Sequence, residues 1–105
     1  MTASRKNIMH VTSKNPPIVE LDSSAHAAYV RFSNAVVKET HMVDVDHCLV
    51  TIDTDKAGNV IGIELLGVAE FGIEGLLKKA GVEGITPEAV RNARYVAANS
   101  ERVAV

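Results

Sequence analysis

The hydrophobic period of the chain changes once, near Gly67, and this change constrains the fold more than any other feature. Between Ile18 and Leu66, apolar residues alternate with polar ones in short runs, a period of two that is typical of half-buried β-strands. After Gly67 the apolar residues recur at intervals of three and four, as on one face of an amphipathic helix. The order of the two patterns predicts an α+β domain with its strands first and its helices last.

Five segments carry the period of two and are predicted to form strands. In one of them, Ala28, Val30 and Phe32 alternate with more polar residues. Asp55–Asn59 is a turn sequence between the last two segments, in which Gly58 can adopt a positive φ. Because short connections favour antiparallel neighbours, the sequence predicts an antiparallel β-meander of four to five strands. The predicted strands cover residues 18–21, 27–33, 36–45, 48–54 and 60–66.

Two segments after Gly67 are predicted to be helices packed on one face of the sheet. In the first, over residues 72–80, the apolar residues form a single stripe and Gly81 is placed to end the helix. The second, over residues 87–98, begins at Thr86-Pro87-Glu88, which combines an N-cap hydroxyl with a proline at the first helical position. The stripe of the first helix consists of Ile73, Leu76, Leu77 and Ala80.

The length of 105 residues fits one domain. This domain is predicted to cover residues 18–98, with a loosely ordered lead-in over 1–17 and a frayed tail over 99–105. Hydrophobic residues make up 47% of the chain and aromatic residues only 4%, so an aliphatic core is expected. Cys48 is the single cysteine, which excludes an intrachain disulfide and favours a buried, unreactive thiol.

Charge and hydropathy argue against two classes of partner. The formal net charge is −2, whereas a nucleic-acid-binding domain usually carries a basic excess that neutralises phosphates. No apolar run reaches the roughly 18 residues of a membrane span, and the N-terminus lacks the apolar region of a signal peptide. We therefore expect a cytoplasmic protein that binds neither nucleic acid nor membrane.

The segment Asp53–Glu64 matches part of the spacing of a calcium-binding loop. Asp53, Asp55, Gly58 and Glu64 occupy the first, third, sixth and twelfth positions of that loop. The fifth and ninth positions hold alanine and isoleucine, which bring no side-chain oxygen, and strands rather than helices are predicted on both sides. A plain hairpin turn is the favoured interpretation.

A second polar cluster, His41, Asp44, His47 and Cys48, contains the ligand types of transition metals. Its spacing matches neither Cys-x-x-Cys nor His-x-x-x-His. The strand is predicted to end in a solvent-exposed turn, where an aspartate such as Asp44 is common without any metal. His47 and Cys48 are adjacent, so on a strand they would point to opposite faces rather than act together as base and nucleophile. These four residues remain the candidate ligands of an alternative interpretation, and no catalytic or cofactor-binding residue is predicted.

Part of the chain resembles a known family in three stretches. Leu21–Ser33 contains Tyr29-Val30-Arg31-Phe32, the second stretch is Val37-Lys38-Glu39-Thr40, and Gly58–Leu66 ends in Val60-Ile61-Gly62-Ile63-Glu64-Leu65-Leu66. They are similar to the segments Y-I-R-L, V-x-x-T and V-V-G-I-E-I-L of the DUF2283 family of small bacterial and phage proteins. The resemblance extends over about residues 21–66.

This resemblance implies a small β-rich domain without an established activity, and it carries over no catalytic residue. By analogy with some relatives it also implies an antitoxin-like partner of a small toxin. The chain departs from the family pattern at Leu21, where a tyrosine is usual, and at His26 and Ala28, which replace an acid and a leucine.

From these observations we expect a non-enzymatic interaction module without a cofactor, either a homodimer or a protein that binds a partner. The predicted strands carry apolar residues on both faces, and the helices can cover only one of them. Leu49, for example, lies opposite Val50 and Ile52. The alternative is a small metal-binding protein or enzyme that uses His41, Asp44, His47 and Cys48.

Overall fold

The computed structural model describes residues 8–45, 48–67 and 72–97, which form eight strands and two short helices in the order β1 to β6, α1, β7, α2 and β8. The strands are β1 (Met9–His10), β2 (Ile18–Asp22), β3 (Ala27–Arg31), β4 (Glu39–Val45), β5 (Cys48–Thr54), β6 (Val60–Leu66), β7 (Val82–Glu83) and β8 (Arg94–Ala97). The helices are α1 (Ile73–Ala80) and α2 (Pro87–Arg91). The α+β class predicted from the period change is confirmed.

The main sheet has six strands in the order β4-β5-β6-β3-β2-β8. Strands β4, β5 and β6 form an antiparallel meander, and β2 and β3 form an antiparallel pair. The prediction that all the strands follow one another in a meander is wrong, because β6 lies between β3 and β5 and separates β3 from β4. Strand β6 is almost wholly buried, and a strand of that kind is best placed in the middle of a sheet.

The predicted second helix over residues 87–98 is also wrong in its second half. Thr86 does cap α2, since its hydroxyl accepts a hydrogen bond from the Ala89 N–H at 3.1 Å, but the helix ends at Arg91. The chain then forms β8, which pairs in parallel with β2 and makes the sheet mixed. The N–H of Arg94 donates to the Pro17 carbonyl at 3.0 Å, so pairing with an open strand edge replaces the continued helix.

The helix α1 agrees with its prediction except that it begins one residue later. Gly81 ends it in the left-handed conformation, with φ of 76°, and its N–H bonds the carbonyls of Leu77 and Lys78. Strand β1 pairs in parallel with β7, and Val11 is buried in the core. These contacts fall within the predicted lead-in over 1–17, of which residues 1–7 lie outside the described part of the chain, as do residues 99–105 of the predicted tail.

The core lies on one face of the main sheet, which we call the covered face. Register places Val19, Val30, Ile63 and Ile52 side by side in a row across four strands, and all four side chains are fully buried. The stripe of α1 and residues from β7 and the N-terminal segment complete this aliphatic core, as its composition predicts. The other buried members of the cluster are Val11, Phe32, Val50, Val60, Leu65, Ile73, Leu76, Leu77 and Val82.

Candidate interaction surface

The opposite face of the main sheet, which we call the open face, carries polar side chains at its centre. Strand register sets them in two adjacent rows that cross β3, β6, β5 and β4. Apart from Gly62, the residues of these rows are partly or fully exposed, unlike the buried row of the covered face. The first row is Tyr29, Glu64, Thr51 and Met42, with Glu20 of β2 at its other end, and the second is Arg31, Gly62, Asp53 and Thr40.

Asp53 joins three strands through its carboxylate. The Tyr29 hydroxyl donates to Asp53 Oδ2 at 2.8 Å, and the Thr40 hydroxyl donates to Asp53 Oδ1 at 2.7 Å. Tyr29 lies on β3 and Asp53 on β5, so the tyrosine side chain reaches across the intervening strand β6. One carboxylate oxygen therefore links β5 to its neighbour β4 and the other links it to β3, and hydrogen bonds to a charged acceptor belong to the stronger class.

Gly62 is the residue of β6 over which Tyr29 passes. A Cβ atom at this position would collide with the hydroxyl and ring carbons of Tyr29. The glycine is buried although it lies on the open face, because the tyrosine ring covers it. The absence of a side chain at residue 62 thus permits the hydrogen bond between Tyr29 and Asp53.

Burial raises the pKa of Tyr29 well above its ordinary value, and the hydrogen bond to Asp53 raises it further. The phenol consequently remains a neutral hydrogen-bond donor at physiological pH. A tyrosine that acts as a catalytic base needs a lowered pKa, so this environment favours a structural role for Tyr29.

Arg31 is held from two sides on the same face. Its guanidinium donates to both carboxylate oxygens of Glu20, with Nη2–Oε2 at 3.0 Å and Nε–Oε2 at 3.2 Å. The Arg31 Cζ atom also lies 4.9 Å from the centre of the Tyr29 ring, a cation–π distance. The side chains are about one third exposed, so this ion pair orients the arginine more than it stabilises the fold.

The network leaves a shallow depression on the open face, of about 250 Å³. Glu20, Tyr29, Arg31 and Glu64 line it together with residues at the β2–β3 end of the sheet. A larger groove of about 530 Å³ lies elsewhere, between α1, β7 and α2, and is lined largely by apolar side chains. The polar network and the larger groove are thus separate features.

Of the four candidate metal ligands, the structure describes the side chain of His41 alone. His41 lies on β4, where its Nε2 is 3.3 Å from the Thr54 hydroxyl and 3.7 Å from Glu39 Oε1. Asp44 and Cys48 lie on β4 and β5 at positions whose side chains are not described, and His47 lies outside the described residues. Within the described ranges, no three histidine, cysteine, aspartate or glutamate side chains come close enough to hold a metal ion.

The calcium-like segment forms the hairpin between β5 and β6. Asp55 Oδ1 accepts hydrogen bonds from the N–H groups of Ala57 at 3.0 Å and Asn59 at 2.9 Å. Asp53 is held by Tyr29 and Thr40 on the open face, and Glu64 lies further along β6. The acidic residues of the calcium template therefore do not converge, and the predicted hairpin is confirmed.

Replacement of Asp55 by alanine is expected to destabilise the protein at neutral pH but to have little effect in strong acid. Hydrogen bonds from Asn59 and the other turn residues lower the pKa of Asp55 in the folded protein. This contribution is present above the unfolded-state pKa and is lost as the pH falls through the lowered folded-state pKa. Urea unfolding of wild type and Asp55→Ala at about pH 7 and about pH 2 measures the change, with the exposed neighbour Lys56→Ala as control. An equal loss at both pH values would contradict the expectation.

Sequence reasoning found part of this surface and missed its centre. The alternation of the third strand placed Tyr29 and Arg31 on one face. The sequence places Asp53 in the calcium template and on one face of its strand, but nothing in it links Asp53 to Tyr29, and Thr40 and Gly62 have no predicted role apart from the family resemblance. The signal that could have joined them is that resemblance, because Tyr29, Arg31, Thr40, Gly62 and Glu64 belong to its quoted segments and all lie on the open face.

The fold and this surface define a small α+β domain with a six-stranded mixed sheet and a polar network on one sheet face. A model of the DUF2283 family, described as a protein of unknown function, matches residues 18–68, so this part of the chain belongs to that family and the resemblance is confirmed. The match includes β2 to β6 and every residue of the network. No curated protein and no solved structure matches the chain. Across the described residues, no helix is long and apolar enough to cross a membrane.

Proposed function

We propose that this protein is a non-enzymatic interaction module that self-associates or binds a partner protein through its main sheet. The observation that carries the proposal is the open face, a partly exposed surface whose polar side chains are held by one another. Tyr29 and Thr40 are bound to Asp53, and Arg31 is bound to Glu20. A pre-organised surface of this kind loses little side-chain entropy when it binds.

The same contacts argue against a catalytic use of the network. Tyr29 is a donor with a raised pKa, and the carboxylate of Asp53 already accepts two hydrogen bonds. Apolar side chains with partial exposure, Ile18, Leu49 and Leu66, lie on the open face around the polar centre. A polar centre with apolar surroundings suits a protein contact.

Multi-angle light scattering of the purified protein over micromolar concentrations tests the proposal. We expect a mass of twice the 11.2 kDa of one chain, with dissociation on dilution. A mass of 11.2 kDa at every concentration would overturn self-association and leave only a partner protein. If the protein binds a partner instead, we expect that partner to co-purify with the wild type from native cells. It should also co-purify with the α1 surface variant Glu74→Lys, but not with the open-face variant Glu64→Lys.

Elemental analysis of protein purified without an affinity tag separates this proposal from the metal-binding alternative. The interaction module requires no metal, so we expect no stoichiometric metal and no change of stability in chelator. One bound transition-metal ion per chain, lost with a His41→Ala substitution, would overturn the proposal in favour of the alternative.

A further inference from the structure

Strand β4 is the outer strand of the main sheet, and within the described ranges no strand pairs with its outer edge. It is seven residues long and pairs with β5 in an uninterrupted register, whereas the pairing of β5 with β6 contains an irregularity. Natural sheets protect such edges with short strands, bulges, proline or charged side chains, lysine above all. The sequence Glu-Thr-His-Met-Val-Asp-Val of β4 contains neither proline nor lysine, and its acidic residues lie near its ends.

The opposite edge of the sheet is shorter, because its outer strand β8 has only four residues and begins with Arg94. It carries one exposed large apolar side chain, Tyr95. Of the six exposed large apolar side chains in the described part of the chain, three lie in β4 or within three residues before it, namely Val36, Val37 and Met42. Met42 is 69% exposed at the midpoint of the strand. Exposed apolar side chains therefore lie at an edge that, among the residues the structure describes, has no strand partner.

We infer that β4 pairs in antiparallel register with β4 of a second copy of this chain, about a two-fold axis through Met42. This inference rests on the proposed self-association and assigns it to the β4 edge of the main sheet rather than to the open face. A two-fold axis perpendicular to the sheet keeps both covered faces on the same side, and an antiparallel pair of seven-residue strands can form roughly six to eight backbone hydrogen bonds.

In this register the two copies of β4 place no like charges directly opposite each other. Met42 lies opposite Met42 of the second copy, and Glu39 lies opposite Val45, so the two Glu39 residues are at opposite ends of the pair. At roughly 3.4 Å per residue they are about 20 Å apart, beyond the screening length at physiological salt. Pairing of β4 with β8 of another copy would be head to tail and would generate open chains, whereas β4 with β4 closes as a dimer.

Disulfide trapping at Met42 tests this register directly. In the Cys48→Ser background, Met42→Cys is expected to form a covalent dimer on mild oxidation, because directly opposite residues have Cα atoms roughly 4.5–5.5 Å apart, within the range of a disulfide. The matched control is Thr51→Cys, on the same face but one strand further in, which lies roughly 14 Å from its symmetry mate and is expected to stay monomeric on a denaturing gel.

Charge substitutions at the same two positions test the interface without cross-linking. Met42→Lys sets two lysines opposite each other and is expected to raise the dimer dissociation constant about tenfold or more, while Thr51→Lys leaves it unchanged. Both positions are exposed or partly exposed, and an unchanged circular dichroism spectrum verifies folding.

The outcomes separate this inference from the proposed function. A wild-type dimer that survives Met42→Lys and gives no Met42→Cys cross-link would overturn the β4 interface but leave self-association intact. Loss of the dimer in Thr51→Lys alone would assign the contact to the open face and also overturn the β4 interface. A wild type that is monomeric at every concentration would overturn both this inference and self-association.

Discussion

Replacement of Gly62 by alanine is expected to lower the free energy of unfolding by about 2–3 kcal/mol, because the new methyl group and the Tyr29 side chain cannot occupy the same space. The tyrosine would have to rotate away, which breaks its hydrogen bond with Asp53 and uncovers β6. Urea unfolding followed by circular dichroism measures the loss. An alanine is otherwise favourable in a strand relative to glycine, so the sign of the effect is itself informative.

A double-mutant cycle with Tyr29→Ala isolates this contact. Once the ring is absent, Gly62→Ala should cost less than about 0.5 kcal/mol or even stabilise the protein, because only the backbone preference remains. Gly75→Ala is the matched control, since a Cβ there meets nothing within 4 Å and alanine is preferred in the interior of α1. If Gly62→Ala cost the same with and without the tyrosine ring, the packing of Tyr29 on Gly62 would not explain the glycine.

Local features of the fold could be predicted from the sequence because their causes are local. The bounds of β5 and β6 agree with the predicted 48–54 and 60–66, and the turn between them is stabilised by the carboxylate of Asp55. The N-cap of α2 and the glycine that ends α1 were predicted from residue types that act within one helical turn. Each depends on neighbours within about five residues.

Strand order could not be predicted in the same way, because it depends on contacts between distant segments. Strand β6 pairs with β3, more than thirty positions earlier in the chain, and β8 pairs with β2 across a still longer interval. The segment over residues 94–97 could continue a helix or add a strand, and a free edge of β2 favours the strand. The hydrophobic period shows which face of a strand or helix is buried, but it does not show which strand lies next to it in the sheet.

Only the part of the open-face network that lies within one strand could be predicted from the sequence. Alternation identified Tyr29 and Arg31 as sharing a face, which is a property of β3 alone. The convergence of Tyr29, Asp53 and Thr40 needs three strands in one register, with β6 inserted between β3 and β5. A wrong strand order therefore hides the network even where the bounds of a strand agree, as for β5 and β6, and the predicted strand over residues 36–45 in fact begins at Glu39.

Gly84 is a second glycine whose replacement is expected to destabilise the protein strongly, because it contacts the N-terminal segment. Gly84 has a φ of 104°, and a Cβ atom at this position would collide with the backbone of Val11. Gly84→Ala is expected to cost about 3 kcal/mol or more, since backbone strain adds to a clash with main-chain atoms that cannot rotate away. Val11 is 3% exposed and its N–H bonds the Glu83 carbonyl at 2.7 Å, so its displacement also opens the core.

Gly58→Ala separates the two contributions to this loss. Gly58 has a comparable φ of 89°, but nothing lies within 4 Å of its Cβ position, so alanine there should cost only the strain of about 1–2 kcal/mol. Hydrogen exchange gives the second measurement: the Val11 amide should lose protection in Gly84→Ala and keep it in Gly58→Ala. Equal destabilisation by both variants, with Val11 still protected, would mean that the close contact between Gly84 and the Val11 backbone adds nothing to the conformational strain. Loss of protection confined to Gly84→Ala would instead establish that β1 and Val11 form an integral part of the domain, docked by close backbone contact at Gly84.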